Sequence, residues 1–354
     1  MENYTAKKLM NQGVQGMIVK HLTPKGAERF RRCGNWIEFF ECKDAAKRKV
    51  HDAEFCKHRF CPMCMWRLAH KDALRIAVLM DCLEAEARRA FVFATFTAPN
   101  VRAEGLPGEI SRFNKAYKEL MRRPEIERMN DGYVRKLEVT YNGSPTVTEG
   151  YYLKAKAHCD EKGLKPGDPN PNYDTYHAHF HCIYSVARGY FSGGRYLKRD
   201  RWLELWQGVM GDRSITQLDV RRVKRGDRDC VAGALDSKGA LAEGRAAPRG
   251  DRAFLEIAKY AAKNFDFTHS QEVFDVFYGA LRGRQLLTYG GSFAEASRRY
   301  KAGELEGYKT HDLTEYVSLA LYKWAAGYKE ARRRVLHEGE YRVLKKEALD
   351  DSPM

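Results

Sequence analysis

The sequence lacks long apolar segments. No apolar run approaches the roughly 20 residues that a helix needs to cross a bilayer. The first 20 residues are polar with scattered lysines and contain no apolar segment typical of a signal peptide. There is also no internal repeat. We therefore expect a cytoplasmic protein that has no membrane partner.

Cysteine and histidine are scarce and unevenly distributed. The nine cysteines are odd in number and clustered, and the 354 residues include only 11 histidines. An odd, clustered set of cysteines favours metal ligation in a reducing compartment over a disulfide framework.

Charge of one sign is in excess. The formal net charge is +15, while 44% hydrophobic and 12% aromatic residues indicate a folded chain. A protein this basic most often neutralises phosphates, because counterion release then contributes to affinity. A ribosome-associated or peripheral membrane protein would have a similar charge. The length predicts two domains, or one with appended modules.

The N-terminal cysteines predict a structural zinc site. Cys56, Cys61 and Cys64 have a Cys-x4-Cys-x2-Cys spacing, and Cys-Pro-x-Cys is a turn that points two thiolates at one tetrahedral ion. The fourth ligand is open from the spacing alone, and we favour Cys33 because Gly34 follows it. The candidates are Cys33, Cys42 and His58.

A second metal site is predicted on the stretch 176–186. His177, His179 and His181 alternate with smaller or apolar residues, which is the period of a strand and places the three imidazoles on one face. Neutral imidazole is the commonest side-chain ligand for a divalent metal. A histidine-rich polar face is the plainer alternative.

The order of predicted elements indicates an α+β fold. Strand, helix, strand, strand, helix, strand and helix follow one another, which is typical of a ferredoxin-like or RRM-like antiparallel sheet. We predict three parts: a Cys-rich zinc module at 1–70, the sheet domain at 71–270, and a helical C-terminal region at 271–354 with one long helix over Tyr316–His337. The predicted elements are strands 91–97, 133–141, 176–186 and 215–223 and helices 66–89, 108–123, 196–210 and 252–265.

The last of these helices carries a polar stripe. At about 100° per residue, Glu256, Tyr260 and Lys263 fall on the side opposite Phe254 and Ile257. A phenol is a poor nucleophile at neutral pH, so an enzyme that uses it must assist deprotonation and stabilise charge at the electrophile. A metal on a phosphate oxygen meets the second need, and a nearby lysine helps with both. Taken alone, the stripe is also the polar side of an ordinary amphipathic helix.

A basic run follows the fourth strand. Its four cations are predicted DNA contacts: Arg221, Arg222, Lys224 and Arg225.

Together these motifs resemble those of the HUH endonucleases. A His-hydrophobic-His strand followed by Glu-x-x-x-Tyr-x-x-Lys is similar to the single-tyrosine rolling-circle replication initiators of small plasmids. Residues 93–100 resemble the first motif of that family, residues 135–142 its second strand, and Cys56–Cys64 its N-terminal Cys-rich segment. Ala178 departs from the proline expected before the first ligand.

The resemblance implies a metal-dependent nuclease that nicks and rejoins one strand of an origin. It implies Tyr260 as the nucleophile that forms a 5′-phosphotyrosyl link, Lys263 as its assistant and Glu256 as the group that activates water at termination. It implies Mg²⁺ or Mn²⁺ on His179, His181 and an acidic ligand, for which we choose Glu138 on the strand expected to pair with the histidine strand; the role of His177 stays open.

The implied partner is single-stranded or hairpin origin DNA, with a host helicase and polymerase as candidates. Rival interpretations are an HUH transposase or relaxase, and a non-catalytic zinc-containing DNA-binding regulator. A barrel-type histidine hydrolase would need a regular strand–helix alternation that the sequence lacks.

Overall fold

The computed structural model describes residues 1–154, 156–223, 266–309 and 314–347. Within these, the chain forms two compact units, each assembled from separate stretches. One contains Met1–Arg89 and the described residues from Ser292 onward; the other contains Ala90–Arg222 and residues 266–291. The three-part division at residues 70 and 270 stays a prediction.

The second unit is built on a five-stranded sheet. Its strands are β3 (Arg89–Thr97), β4 (Asn130–Asn142), β5 (Thr175–Ala187), β6 (Leu218–Arg222) and β7 (Leu287–Gly290), in the spatial order β6-β3-β5-β4-β7. The strands β6, β3, β5 and β4 lie in the order of the predicted ferredoxin-like split, so the α+β fold is confirmed. The edge strand β7 was not predicted.

Helices cover one face of this sheet. They include α4 (Leu106–Leu120) and α8 (Arg199–Met210). The other helices of this unit are α5 (Pro124–Met129), α6 (Glu149–Lys154), α7 (Lys156–Glu161) and α9 (Gln271–Leu281). The rings of Phe113 and Trp206 meet those of Phe180 and Phe96 at centroid distances of 5.3 and 4.9 Å. Because side chains alternate along a strand, the histidines beside Phe180 face the opposite side of the sheet.

The first unit contains a four-stranded antiparallel sheet. Its strands are β1 (Trp36–Glu41), β2 (Arg48–Ala53), β8 (Ser318–Trp324) and β9 (Tyr328–Val335), in the order β2-β1-β8-β9. Its helices are α1 (Glu2–Ile18), α2 (Pro24–Arg32), α3 (Pro62–Ala87), α10 (Gly291–Lys301) and α11 (Glu340–Glu347). Ile37, Phe39 and Ala320 form a buried cluster at its centre. Strands from both ends of the sequence thus complete one sheet.

The helix predicted over Tyr316–His337 is wrong, because β8 and β9 form a hairpin there. Trp324 pairs with Tyr328, and Ala326 has a φ of 57°, a left-handed conformation that no helix interior contains. β9 is an exposed edge strand rich in arginine. These charges, mixed with apolar residues, produced the pattern that was interpreted as an amphipathic helix. The C-terminal region is therefore not wholly helical.

Helices long and apolar enough to cross a membrane are absent from the described parts of the chain.

Candidate metal centres

Strand pairing brings three predicted ligands together. Glu138 on β4 lies directly opposite His179 on β5. One oxygen, Oε2 of Glu138, is 2.8 Å from Nε2 of His179 and 2.8 Å from Nε2 of His181. All three side chains are buried, with 2–7% of their surface exposed. The register that the sequence left open thus places the carboxylate between the two imidazoles.

The site is electrostatically prepared for a cation. Burial opposes ionisation of Glu138, but the electrostatic interaction with His179 and the hydrogen bonds from both histidines outweigh it and lower the pKa of Glu138 to about 2. Burial also lowers the pKa of His181 to about 4, despite its hydrogen bond to Glu138. At neutral pH the site therefore offers a carboxylate and, at His181, a neutral imidazole, the forms that bind metal.

This donor set fits a divalent metal. The three ligand atoms lie within 4.8 Å of one another. Two imidazoles and one carboxylate suit Mn²⁺ or Mg²⁺ better than a thiolate-preferring metal, and three protein ligands leave coordination positions for phosphate oxygens or water. The arrangement can therefore hold a metal that also contacts a substrate.

Two neighbours support His181. Oγ1 of Thr95 is 3.1 Å from its Nδ1, and the ring of Phe93 stacks on the imidazole at 5.9 Å. A hydrogen bond on the far nitrogen fixes the tautomer and orientation of a metal-binding histidine. Thr95 was not predicted as a site residue; the alternation of β3, which puts Thr95 on the face of Phe93, was the available signal.

His177 lies at the edge of this group. It is opposite Thr140, its ring centroid is 5.2 Å from that of His179, and it is not among the three residues whose ligand atoms converge. Burial, reinforced by the neighbouring His179, lowers the pKa of His177 to about 3. At neutral pH it is a neutral imidazole beside the site.

The four predicted zinc cysteines also converge. Sγ of Cys33 lies 3.5 Å from those of Cys61 and Cys64, and Sγ of Cys56 lies 3.7 Å from that of Cys64. Four sulfurs around a zinc ion, each about 2.3 Å from it, would be about 3.8 Å apart. The cluster therefore has close to the dimensions of a tetrahedral four-thiolate site.

Local structure explains how the thiols meet. Cys61 caps the N-terminus of α3 with Pro62 in the first turn, so Cys61 and Cys64 point the same way, and Cys33 ends α2. Hydrogen bonds from the other thiols, Cys33 first, lower the pKa of Cys64, whereas burial raises that of Cys61. Ionisation of Cys61 is therefore opposed unless a cation is bound beside it.

The two rival fourth ligands lie elsewhere. Cys42 is in the β1–β2 turn, where its thiol is 2.9 Å from Oδ1 of Asp44. Nδ1 of His58 accepts a hydrogen bond from the Phe60 amide at 3.2 Å. Among the described residues, Cys33 is the one that joins the three cysteines of the motif.

A buried lysine links α1 to this cluster. Nζ of Lys8 donates to the Cys33 carbonyl at 2.7 Å and to Oδ1 of Asn35 at 2.8 Å, and only 1% of Lys8 is exposed. Asn11, one turn later, donates to Sγ of Cys61 at 3.3 Å. Neither contact was predicted, because no local pattern identifies a buried lysine.

The predicted DNA contacts Arg221 and Arg222 point to opposite faces of the sheet. Arg221 is paired with Phe93 and its guanidinium lies 4.9 Å from that ring, on the face of the histidines. Arg222 stacks over Phe191 at 4.7 Å. The other predicted contacts and the three predicted catalytic residues lie outside the described residues: Lys224, Arg225, Glu256, Tyr260 and Lys263.

A split antiparallel sheet with two histidines and a carboxylate converging on one face is the arrangement expected of an HUH-type fold, and it provides a candidate metal site. The profile of a family described as "Replication protein" matches residues 47–333. The chain is 31% identical over 268 residues to "Protein rep" of Staphylococcus aureus, covering 75% of this chain and 95% of that protein. It is 30% identical over 290 residues to "Protein rep" of Bacillus amyloliquefaciens, covering 80% and 75% of the two chains.

The chain belongs to this replication protein family, the Rep family of rolling-circle plasmid replication initiators. The match favours a plasmid replication initiator over a transposase or relaxase. No solved structure matches the chain.

Proposed function

We propose that this initiator nicks one strand of its plasmid origin through a covalent tyrosine intermediate. The phenolate oxygen of Tyr260 attacks the scissile phosphorus, and the bond from phosphorus to the 3′ oxygen breaks. The 3′ oxygen takes up a proton, which leaves a 3′-OH for a polymerase and a 5′-phosphate on Tyr260. Lys263 assists deprotonation of the phenol.

The convergence of Glu138, His179 and His181 is the observation that carries this proposal. Their chemistry suits Mg²⁺ or Mn²⁺, which when bound polarises a phosphate oxygen and so favours attack on phosphorus. A DNA-binding regulator without catalytic activity would have no need of a buried, partly open donor set on a sheet face. The substrate is single-stranded or hairpin-extruded origin DNA, because the scissile phosphate must leave the duplex.

Chain connectivity is compatible with Tyr260 as the nucleophile at this site. Oδ2 of Asp266 accepts a hydrogen bond from the backbone amide of Tyr141 at 2.9 Å. Tyr141 is three positions from Glu138 on β4, or about 10 Å. Tyr260 precedes Asp266 by six residues, which in the helix predicted for 252–265 would span about 9 Å. The sequence therefore allows the phenol to reach the metal ligands.

Chelation tests the metal requirement. A single-stranded oligonucleotide of the origin carried by the protein's own replicon should be nicked with Mn²⁺ present, remain intact in EDTA, and be nicked again when Mn²⁺ is restored in excess. Zinc content is measured in parallel, so that loss of the cysteine-bound metal is not mistaken for loss of the catalytic one. Nicking that continues in EDTA would refute the proposed role of this site.

We also propose that Cys33, Cys56, Cys61 and Cys64 hold a structural zinc. Four thiolates close the coordination shell, so no position is left for a substrate. A zinc ion bound by four thiolates forms a centre with two net negative charges, and the Lys8 ammonium beside the Cys33 carbonyl offsets part of this charge.

Purified protein should contain about one tightly bound zinc per chain. Cys64→Ser should reduce the zinc content and lower the thermal stability of the N-terminal region, because zinc binding supplies folding free energy, about 10–16 kcal/mol in zinc-finger peptides. Cys42→Ser is the matched control and should keep zinc and stability. Full zinc content in Cys64→Ser, or a zinc-free wild type of equal stability, would contradict the assignment.

Glu256 is proposed to activate water at termination, after Tyr260 has been consumed by the 5′ end. Glu256→Ala should leave initial nicking intact and slow hydrolysis of the regenerated origin by roughly 10²- to 10⁴-fold, the usual contribution of a general base. Plasmid multimers or over-length single strands on gels would report this failure, and Glu256→Tyr should partly restore termination through a second covalent link. Normal termination in Glu256→Ala would show that Glu256 makes only a surface contact on its helix, worth a few tenths of a kcal/mol.

A further inference from the structure

One straight row of four side chains crosses the sheet at the level of His181. Strand pairing sets Arg221 of β6 opposite Phe93 of β3, and His181 of β5 opposite Lys136 of β4. The stacking of Phe93 on His181 joins the two pairs across the middle. From β6 to β4, the row therefore consists of a cation, an aromatic ring, a candidate metal ligand and a second cation.

The two cations occupy the ends of this row, on either side of the metal ligands. Lys136 is half-buried, lies directly across from His181 and is two positions from Glu138, so both point to the same face. The Arg221 side chain is 30% exposed and has Asp219 at 3.5 Å. Both cations are partly accessible to a polyanion.

The spacing of strands gives the row a length. Neighbouring strands lie about 4.8 Å apart, so Lys136 is about one strand and Arg221 about two strands from His181. The two long cationic side chains therefore start about 5 and 10 Å from His181, on opposite sides of it. A strand laid along the row would thus meet a cation on both sides of the phosphate held at the metal ligands.

We propose that Lys136 and Arg221 bind the phosphates that flank the scissile phosphate, so that the substrate strand crosses the β-strands along this row. The inference rests on the proposed function, since the metal ligands define which phosphate is cut. The two cations set the register of the strand: contacts to phosphates position DNA without reading its sequence. Phe93 holds Arg221 in place through its ring, 4.9 Å from the guanidinium.

A binding assay without catalysis tests the row. Lys136→Gln and Arg221→Gln are compared with Lys118→Gln, an exposed lysine on α4, on the helix-covered face of the sheet. Fluorescence anisotropy with a labelled single-stranded origin oligonucleotide is measured in EDTA over a range of salt concentrations. Each row variant should bind about tenfold more weakly at low salt. Each should also reduce the slope of log K against log salt by about 0.7, whereas Lys118→Gln should match the wild type.

Single methylphosphonate substitutions then locate each contact. Replacing one charged phosphate next to the scissile position should weaken wild-type binding, and the matching variant should be insensitive to the same substitution. Lys136→Gln and Arg221→Gln should lose sensitivity at different phosphates, one on each side of the nick.

Two results would overturn the proposal. The first is that both variants respond to methylphosphonate in the same way at every phosphate. The second is an unchanged salt slope in a variant whose melting temperature equals that of the wild type. A variant that fails to fold is replaced by Lys136→Met or Arg221→Met, which keep much of the side chain's packing, remove its charge and should show the same reduced slope. Because binding in EDTA needs no cleavage, failure here is distinguishable from failure of the nicking reaction.

Discussion

Tyr260→Phe is expected to lower the rate of nicking by roughly four orders of magnitude or more, the scale seen when an enzyme loses its nucleophile. Only one oxygen is removed, so the affinity for single-stranded origin DNA should stay within about twofold of the wild type. Nicking is followed on a denaturing gel under single-turnover conditions with Mn²⁺, and binding by anisotropy.

Tyr173→Phe provides a matched control for this substitution. Tyr173 is 45% exposed and lies in the connection before β5, so loss of its hydroxyl should leave nicking unchanged. If Tyr260→Phe nicks at the wild-type rate, another group attacks the phosphate and Glu256 and Lys263 lose their proposed roles.

His179→Ala and Glu138→Gln are expected to remove metal-dependent nicking. Each substitution deletes one of three converging ligands. Loss of an outer-shell partner of a metal ligand typically weakens metal binding by about 10- to 100-fold. Loss of a ligand itself should therefore weaken Mn²⁺ binding by at least this factor. Isothermal titration with Mn²⁺ measures this directly, without DNA. Excess Mn²⁺ should restore part of the nicking activity.

His177→Ala resolves the role of the third histidine. Its ring lies beside His179, but its ligand atom does not converge with those of Glu138, His179 and His181. We therefore expect a smaller loss of Mn²⁺ affinity than in His179→Ala. Normal Mn²⁺ affinity and nicking in both His179→Ala and Glu138→Gln would show that the metal is bound elsewhere.

The second unit was largely predictable because its strands alternate and its connections contain recognisable breaks. β5 has a histidine at every second position from 177 to 181, and Pro99 and Pro124 end the elements before them. The pairing of Glu138 with His179 is a long-range register across the long connection between β4 and β5, which no local pattern determines. The three-dimensional structure was needed to place that carboxylate.

The first unit was predicted only in part. The spacing of Cys56, Cys61 and Cys64 predicted that these thiols converge, and α3 was expected. The sheet escaped prediction because β1 pairs with β8, which lies near the other end of the sequence. The arginines of β9 at that sheet's edge mimic a helical polar face, and Gly327 at the hairpin turn was the signal against a helix.

The central claim is a covalent bond between Tyr260 and the 5′ end of the nicked strand. It is tested by incubating the protein with a single-stranded origin oligonucleotide labelled at its 3′ end, with Mn²⁺, and mapping the adduct by proteolysis and mass spectrometry. We predict that the label stays on the protein, that the adduct maps to the peptide containing Tyr260, and that the released fragment has a 3′-OH that a polymerase extends. Nicking with no protein-bound label, or an adduct on another residue, would contradict the account.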